Sequence, residues 1–310
     1  MSERLSFKTP PSIAVSYLRA LFDRRPRRLP PGAGAIRIEA EAGGVQASAA
    51  DLQAYRRACA LPDDGMLPMT YPHILSGGLH MAMLLHPGFP VKMVGLVHLA
   101  NDIELFEPLP ADARLALDCR LESGRSKPRG DEFRLVTEAL WNGRLAWRET
   151  MSFLAPAPRN APRRQAEAPV LPAALEAWVV SADTGRRYAR VSGDWNPIHL
   201  AGLLARPFGF PSAIAHGMWT VARCLGRLAD GPPGPGARLD VRFLKPLLLP
   251  GDVRLHAEAP AESGERAFWL VSAADGMPHL KGLWNPGGSA ASAAADGDGA
   301  AFSPAAAAAS

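Results

Sequence analysis

Phe243-Leu-Lys-Pro-Leu-Leu-Leu-Pro-Gly-Asp-Val-Arg-Leu255 in the second half of this chain has a counterpart in the first, Leu105-Phe-Glu-Pro-Leu-Pro-Ala-Asp-Ala-Arg-Leu115. Each reads as a strand, a proline-containing turn, an aspartate and a second strand, the first with the shorter turn. An echo of this kind points to two copies of one structural unit. The flanking residues alternate with a period of two, as half-buried strands do. Leu239, Val241 and Phe243 share one face, and Arg238, Asp240 and Arg242 the other. Val253, Leu255 and Ala257 then alternate with Arg254, His256 and Glu258; in the first half Leu115, Leu117 and Cys119 alternate with Arg114, Ala116 and Asp118. Further strands are expected over 132–140 and 144–153, and over 266–273 and 279–284. Upstream of each set lies one apolar helix. It runs over roughly 214–228, with Ile214, Met218, Val221, Leu225 and Leu228 at helical spacing, and over roughly 73–85 in the first half. The pattern predicts an α+β chain of two tandem units, each an antiparallel sheet wrapped around a helix, paired across a pseudo-twofold axis.

The expected boundaries follow from composition. Residues 1–32 form an N-terminal extension, 33–154 the first repeat, 155–170 a Pro/Ala/Arg-rich linker, 171–286 the second repeat. Residues 287–310 form a Gly/Ala/Ser tail too poor in apolar residues to order itself. Within the extension, 12–23 reads as an amphipathic helix packed on the outside of the domain, with Ile13, Tyr17, Leu18 and Leu21 on one side. The 310 residues carry a net charge of +4, too weak a bias to indicate nucleic acid, though compatible with an anionic thiol carrier. The arginines of 24–28 read as solvated. Cys59, Cys119 and Cys224 are odd in number and far apart. They suggest reduced thiols in a cytoplasm, neither disulfides nor zinc. No apolar run reaches the length of a membrane span, and no glycine-rich loop suggests a nucleotide cofactor.

The chemistry is concentrated in Tyr188-Ala-Arg-Val-Ser-Gly-Asp-Trp-Asn-Pro-Ile-His199. Asn196 followed by Pro197 is a favoured helix start, so a short helix from 197 to about 205 is expected with His199 in its first turn. A turn between Asp194 and His199 can bring carboxylate and imidazole to one point, a competent pair for moving protons to and from water. Downstream, Ala215-His-Gly-Met218 leads into the second apolar helix. If that helix begins near His216 or Gly217, its first N–H groups lack internal partners and are placed to stabilise a developing oxyanion.

Tyr188-x-x-x-Ser192-Gly-Asp194-x-Asn196-Pro197-Ile198-His199 followed by Ala215-His216-Gly217-Met218 resembles the signature of the MaoC-like, or R-specific enoyl-CoA hydratase (hydratase 2), family. The resemblance covers about residues 175–285. It implies a double hotdog fold and reversible addition of water to a trans-2-enoyl thioester, giving a (3R)-hydroxyacyl thioester. By the same resemblance Asp194 and His199 activate water and the Gly217 N–H binds the thioester oxygen. Ser192, Asn196, His216 and Met218 are expected around the substrate, Ser192 and Asn196 through the turn they shape and His216 through a hydrogen bond that fixes its loop. The implied partner is an acyl-CoA or acyl-carrier-protein thioester, with no cofactor and no metal. A third ligand beside His199 and His216 is not evident in the sequence. The first half has no Asp-x-Asn-Pro-x-His and reads Gly78-Leu-His-Met81 where the second reads His-Gly-Met, so it is expected to be a degenerate repeat, leaving one active site per chain. Homodimerisation is compatible with this plan.

Rival readings are dehydration of a carrier-bound 3-hydroxyacyl chain, a branched or dicarboxylic acyl-CoA as substrate, a hotdog thioesterase, or a non-catalytic acyl-thioester-binding protein. His73, His80, His86, His98, His256 and His279 read as ordinary, and Arg206, Arg242 and Lys245 as solvated charges rather than phosphate ligands.

Overall fold

The computed structural model describes residues 3–30, 34–157 and 168–288. Most of the linker and nearly all of the tail expected from the sequence lie outside them. Among the described residues, eleven strands form one sheet in the order β1-β2-β4-β5-β6-β3-β8-β11-β10-β9-β7. They are β1 (Glu3–Phe7), β2 (Arg37–Val45), β3 (Val97–Leu105), β4 (Leu115–Lys127), β5 (Gly130–Trp141), β6 (Arg144–Pro156), β7 (Ala174–Val180), β8 (Ala237–Phe243), β9 (Gly251–Ala257), β10 (Arg266–Ser272) and β11 (Pro278–Asn285). The helices are α1 (Ile13–Leu21), α2 (Ala49–Cys59), α3 (Tyr71–Leu84), α4 (Thr184–Ser192), α5 (Gly202–Ala205) and α6 (Gly217–Leu228). This is an α+β double hotdog. Strands from the first half occupy one end of the sheet and strands from the second half the other, and the two sets meet where β3 pairs antiparallel with β8.

The register at that seam centres on Asp102 opposite Asp240, with Asn101 facing Val241 and Ile103 facing Leu239. Two like charges directly opposite are unfavourable, and Arg238 and Arg242 offset them through contacts with Asp102 and Asp240 at 3.1 and 3.4 Å. The period-two pattern decides the inner face, since burying apolar area is the main favourable term. Leu115, Leu117, Cys119 and Leu121 on β4, and Leu239, Val241, Val253 and Leu255 on β8 and β9, are all buried. Leu79 and Met83 on α3, and Val221, Leu225 and Leu228 on α6, fill the space inside the curved sheet.

In the N-terminal extension the inward face of the helix differs from the one read in the sequence. β1 pairs in parallel with β2, and α1 turns Ile13, Ser16, Tyr17 and Ala20 inward while Leu18 stays 62% exposed. Two of the arginines read as solvated have structural work. Arg25 donates to the carbonyls of Leu84, His86 and Phe89 at the end of α3, and Arg28 pairs with the buried Asp131 at 2.9 Å. Cys59, Cys119 and Cys224 are free and buried. No helix among the described residues is long and apolar enough to cross a membrane.

Candidate active site

α4 ends on Gly193, whose φ of 73° is the left-handed conformation that glycine adopts without a side-chain clash. The chain reverses there. The Ser192 hydroxyl donates to the Tyr188 carbonyl (2.9 Å) and accepts from the Asp194 N–H (3.1 Å), so its hydrogen bonding is used within the turn. Asp194 Oδ1 accepts from the Asn196 N–H at 3.1 Å, an Asx-type turn. Asn196 Oδ1 in turn faces the Ile198 N–H at 3.5 Å. Pro197–His199 is a single 3-10 turn, not the start of a helix reaching 205. Ala201 is extended, and α5 begins afresh at Gly202. His199 sits against α4: a Cβ on Gly185 would lie 1.9 Å from the His199 carbonyl oxygen, so helix and turn touch backbone to backbone.

The second arm of the site is the extended segment 213–216. Ala215 N–H donates to Leu247 and Leu249 N–H to Ala213, each at 2.8 Å, which ties the segment to the turn between β8 and β9. It is clamped to the first arm as well. Ile214 N–H donates to the Ile198 carbonyl (3.0 Å), and His199 Nδ1 meets the Ile214 carbonyl (2.8 Å). His216 occupies the N-cap of α6 without capping it by its side chain. Its Nε2 lies 3.0 Å from the Asp194 carbonyl and 3.7 Å from the Asp194 carboxylate. Gly217 opens α6, and a Cβ there would sit 2.8 Å from the Phe243 ring. Ring packing on the helix start therefore accounts for this glycine, in addition to the close approach of a substrate expected from the sequence. Met218 turns the other way, its Sδ 3.1 Å from Asn101 Nδ2 of the first repeat.

Asp194, His199 and His216 thus converge, with one donor atom from each within 4.8 Å of the others. Asp194 supplies the third potential ligand that the sequence left unseen. The two imidazoles, however, stack with centroids 3.7 Å apart and planes 28° apart. Lone pairs lie in the ring planes, so near-parallel stacked rings aim theirs side by side rather than at one ion. An imidazole nitrogen hydrogen-bonds to a backbone carbonyl only as an N–H donor, which puts a proton on His199 Nδ1 and on His216 Nε2. In the neutral ring His199 Nε2 is then left basic.

The site keeps both histidines neutral. Burial pushes His199 below its usual range against the pull of Asp194, and pushes His216 down to about 3. Burial alone would raise the Asp194 carboxyl, but in acid, where it titrates, the positive charge that His216 and His199 take up, together with the Tyr17 hydroxyl, outweighs burial and holds it below the usual carboxylate range. The Asp194 side chain remains 38% exposed, so solvent and ligands reach it.

Two groups near the site had no local signature in the sequence. The Tyr17 hydroxyl on α1 donates to Asp194 Oδ1 across 177 residues of chain (2.5 Å). In the first repeat, histidines that read as ordinary belong to a buried polar network. His73 meets the Glu149 carboxylate at 3.0 Å, Asn101 donates to Glu149 at 2.7 Å, and His80 meets Thr137 at 2.8 Å. Burial lowers His80 to about 3 and His98 to about 4. The charges read as solvated are accounted for in part: Arg242 and Lys245 face Asp240 and Asp275.

Comparison with known proteins bears on this geometry. A family described as MaoC like domain matches residues 155–266. The 3-hydroxyacyl-thioester dehydratase X of Mycobacterium tuberculosis is 32% identical over 241 residues, 74% of this chain and 83% of that protein. The peroxisomal enoyl-CoA hydratase 2 of Arabidopsis thaliana is 28% identical over 187 residues, 54% of this chain and 60% of that protein. A crystal structure of HtdX from Mycobacterium tuberculosis superposes with a TM-score of 0.69 at 30% identity, covering 79% of this chain and 98% of that one. A MaoC-like dehydratase from Phytophthora capsici shares the fold, with a TM-score of 0.64 at 16% identity over 82% of this chain and 95% of that one.

Proposed function

The chain belongs to the MaoC-like dehydratase family and is a hydro-lyase of acyl thioesters, and we propose that it works through Asp194, His199 and the amino end of α6. The substrate of this reading is a trans-2-enoyl thioester, carried by CoA or by an acyl carrier protein, and the product a (3R)-hydroxyacyl thioester. The observation that carries it is the juxtaposition of an ionised carboxylate with a neutral imidazole whose Nε2 is basic. A water between Asp194 Oδ2 and His199 Nε2 has both hydrogens accepted, which turns an oxygen lone pair towards C3. The oxygen adds to C3, one water proton passes to the pair, and a proton is returned to C2, so that one H2O is added overall.

Adding hydroxide at C3 drives negative charge onto the thioester oxygen. The N–H groups of the first turn of α6, Gly217 foremost, are the donors that stabilise it, with the helix dipole behind them. His216 acts from behind: it fixes the Asp194 backbone and stays neutral against the His199 ring. Ser192 and Asn196 serve by building the turn, and Met218 by packing against the first repeat. The first repeat has no second Asp/His pair of this form, which supports one active site per chain.

Purified protein incubated with crotonyl-CoA is expected to consume the enoyl absorbance and form (3R)-hydroxybutyryl-CoA, with no release of free thiol. Thiol release without hydration identifies a thioesterase, and binding without either change identifies a non-catalytic protein. Either result ends this reading.

A further inference from the structure

The Tyr17–Asp194 contact joins the N-terminal arm to the catalytic turn, and the arm is fitted to make it. Ile13 at the start of α1 packs on Gly77 of α3 and Gly193 of the catalytic turn, where added Cβ atoms would lie 2.7 and 3.1 Å from its Cδ1. The Pro11 carbonyl approaches Gly78 so closely that a Cβ would be 2.2 Å away. Beyond the other end of α1, Asp23 pairs with Arg25 at 2.6 Å, and Arg25 grips the carbonyls that close α3. Pinned at both ends, α1 presents one hydroxyl to one carboxylate oxygen. That oxygen, Oδ1, also takes the Asn196 N–H, while Oδ2 is the one on the His216 side.

We propose that Tyr17 is a positioning residue for the hydration reaction: it commits Asp194 Oδ1 to the protein, leaves Oδ2 to the reacting water, and makes the second repeat's chemistry depend on the N-terminal arm. The inference rests on the role proposed above for Asp194. Burial and the neighbouring carboxylate raise the Tyr17 phenol well above its usual range, so it remains a donor wherever the enzyme works. The groups facing the Asp194 carboxylate are Tyr17 from α1, His199 from the 3-10 turn and His216 from the start of α6, with Tyr188 of α4 and His73 and His98 of the first repeat in electrostatic range.

The test is Tyr17→Phe, assayed beside Asp194→Asn on the same enoyl-CoA. A hydrogen bond to a charged group contributes about 1.5–3 kcal/mol, so kcat is expected to fall roughly ten- to a hundredfold with KM little changed. Without the donor the Asp194 carboxyl rises, and the lower step of the acid limb, the one that belongs to Asp194 and lies below the His199 step, moves to higher pH. A ring-fluorinated tyrosine at position 17 keeps the ring and the hydroxyl while strengthening the donor, and is expected to move that Asp194 step to lower pH. It also serves as the second variant should the phenylalanine unsettle the fold, which thermal unfolding reports. A Tyr17→Phe enzyme within about twofold of wild type with an unmoved Asp194 step overturns the inference while leaving the Asp194 reading intact, provided Asp194→Asn is inactive. An active Asp194→Asn enzyme overturns the reading beneath it.

Discussion

Asp194→Asn and His199→Gln are each expected to lower kcat for enoyl-CoA hydration by about 10²- to 10⁴-fold, the usual contribution of a positioned general acid or base, with the protein still folded. The asparagine case is sharply constrained. Tyr17 O–H and Asn196 N–H both donate to Oδ1, so an amide must place its oxygen there. Its NH2 then takes the position of Oδ2 and offers a donor where the water needs an acceptor. His199→Gln removes the Nε2 lone pair that the Ile214 carbonyl fixes through Nδ1. In the wild type both groups act unprotonated, and both titrate below their usual ranges, His199 below 6.5 and Asp194 below 3.8. Activity should therefore be level through neutral pH and fall only on the acid side of 6.5 as His199 takes up its proton. A loss of only a few-fold in either variant, or an acid limb centred above 6.5, contradicts the assignment.

The parts legible in the sequence are those whose physics is local. Alternation on β4, β8 and β9 needs only neighbouring residues, and so does the turn from Ser192 to His199, where a left-handed glycine, an Asx turn and Asn-Pro follow one another. The continuation of that turn as a helix to 205 was not legible: Ala201 is extended because the chain leaves the 3-10 turn before α5 begins. Long-range contacts left no mark. Nothing around Tyr17 announces a partner 177 residues away. Gly77, Gly78 and Gly185 carry no local sign of Ile13, Pro11 and the His199 carbonyl, which meet them only in the fold. Likewise a lone glutamate on β6 looks like one more alternating polar residue, although Glu149 is fully buried. Its acceptors are satisfied by His73 from α3 and Asn101 from β3, which only the closed sheet brings together.

That glutamate carries the other large effect, and it is one on stability. Glu149→Ala is expected to cost about 3–5 kcal/mol, as removal of one partner from a buried charge pair does. His73 loses its counter-charge and Asn101 Nδ2 loses its acceptor, keeping only the weak contact with Met218 Sδ. The pH dependence has a definite sign. Burial opposes ionisation of both partners, yet each overcomes it through the other: His73 is raised above 6.5 and Glu149 lowered below 4.5. The histidine's share of the stabilisation is complete below 6.5 and fades as pH rises through its folded-state value. The glutamate's share is complete above 4.5 and fades as pH falls through its own. Chemical denaturation of wild type and variant across pH should therefore show the gap widest between about 4.5 and 6.5, narrowing on either side. A gap under about 1 kcal/mol throughout that window would mean that His73 and Glu149 are not joined as an ion pair. Because the network touches α6 through Met218, loosening it should also raise KM for the acyl thioester before it lowers kcat, a split that steady-state kinetics on the folded fraction resolves.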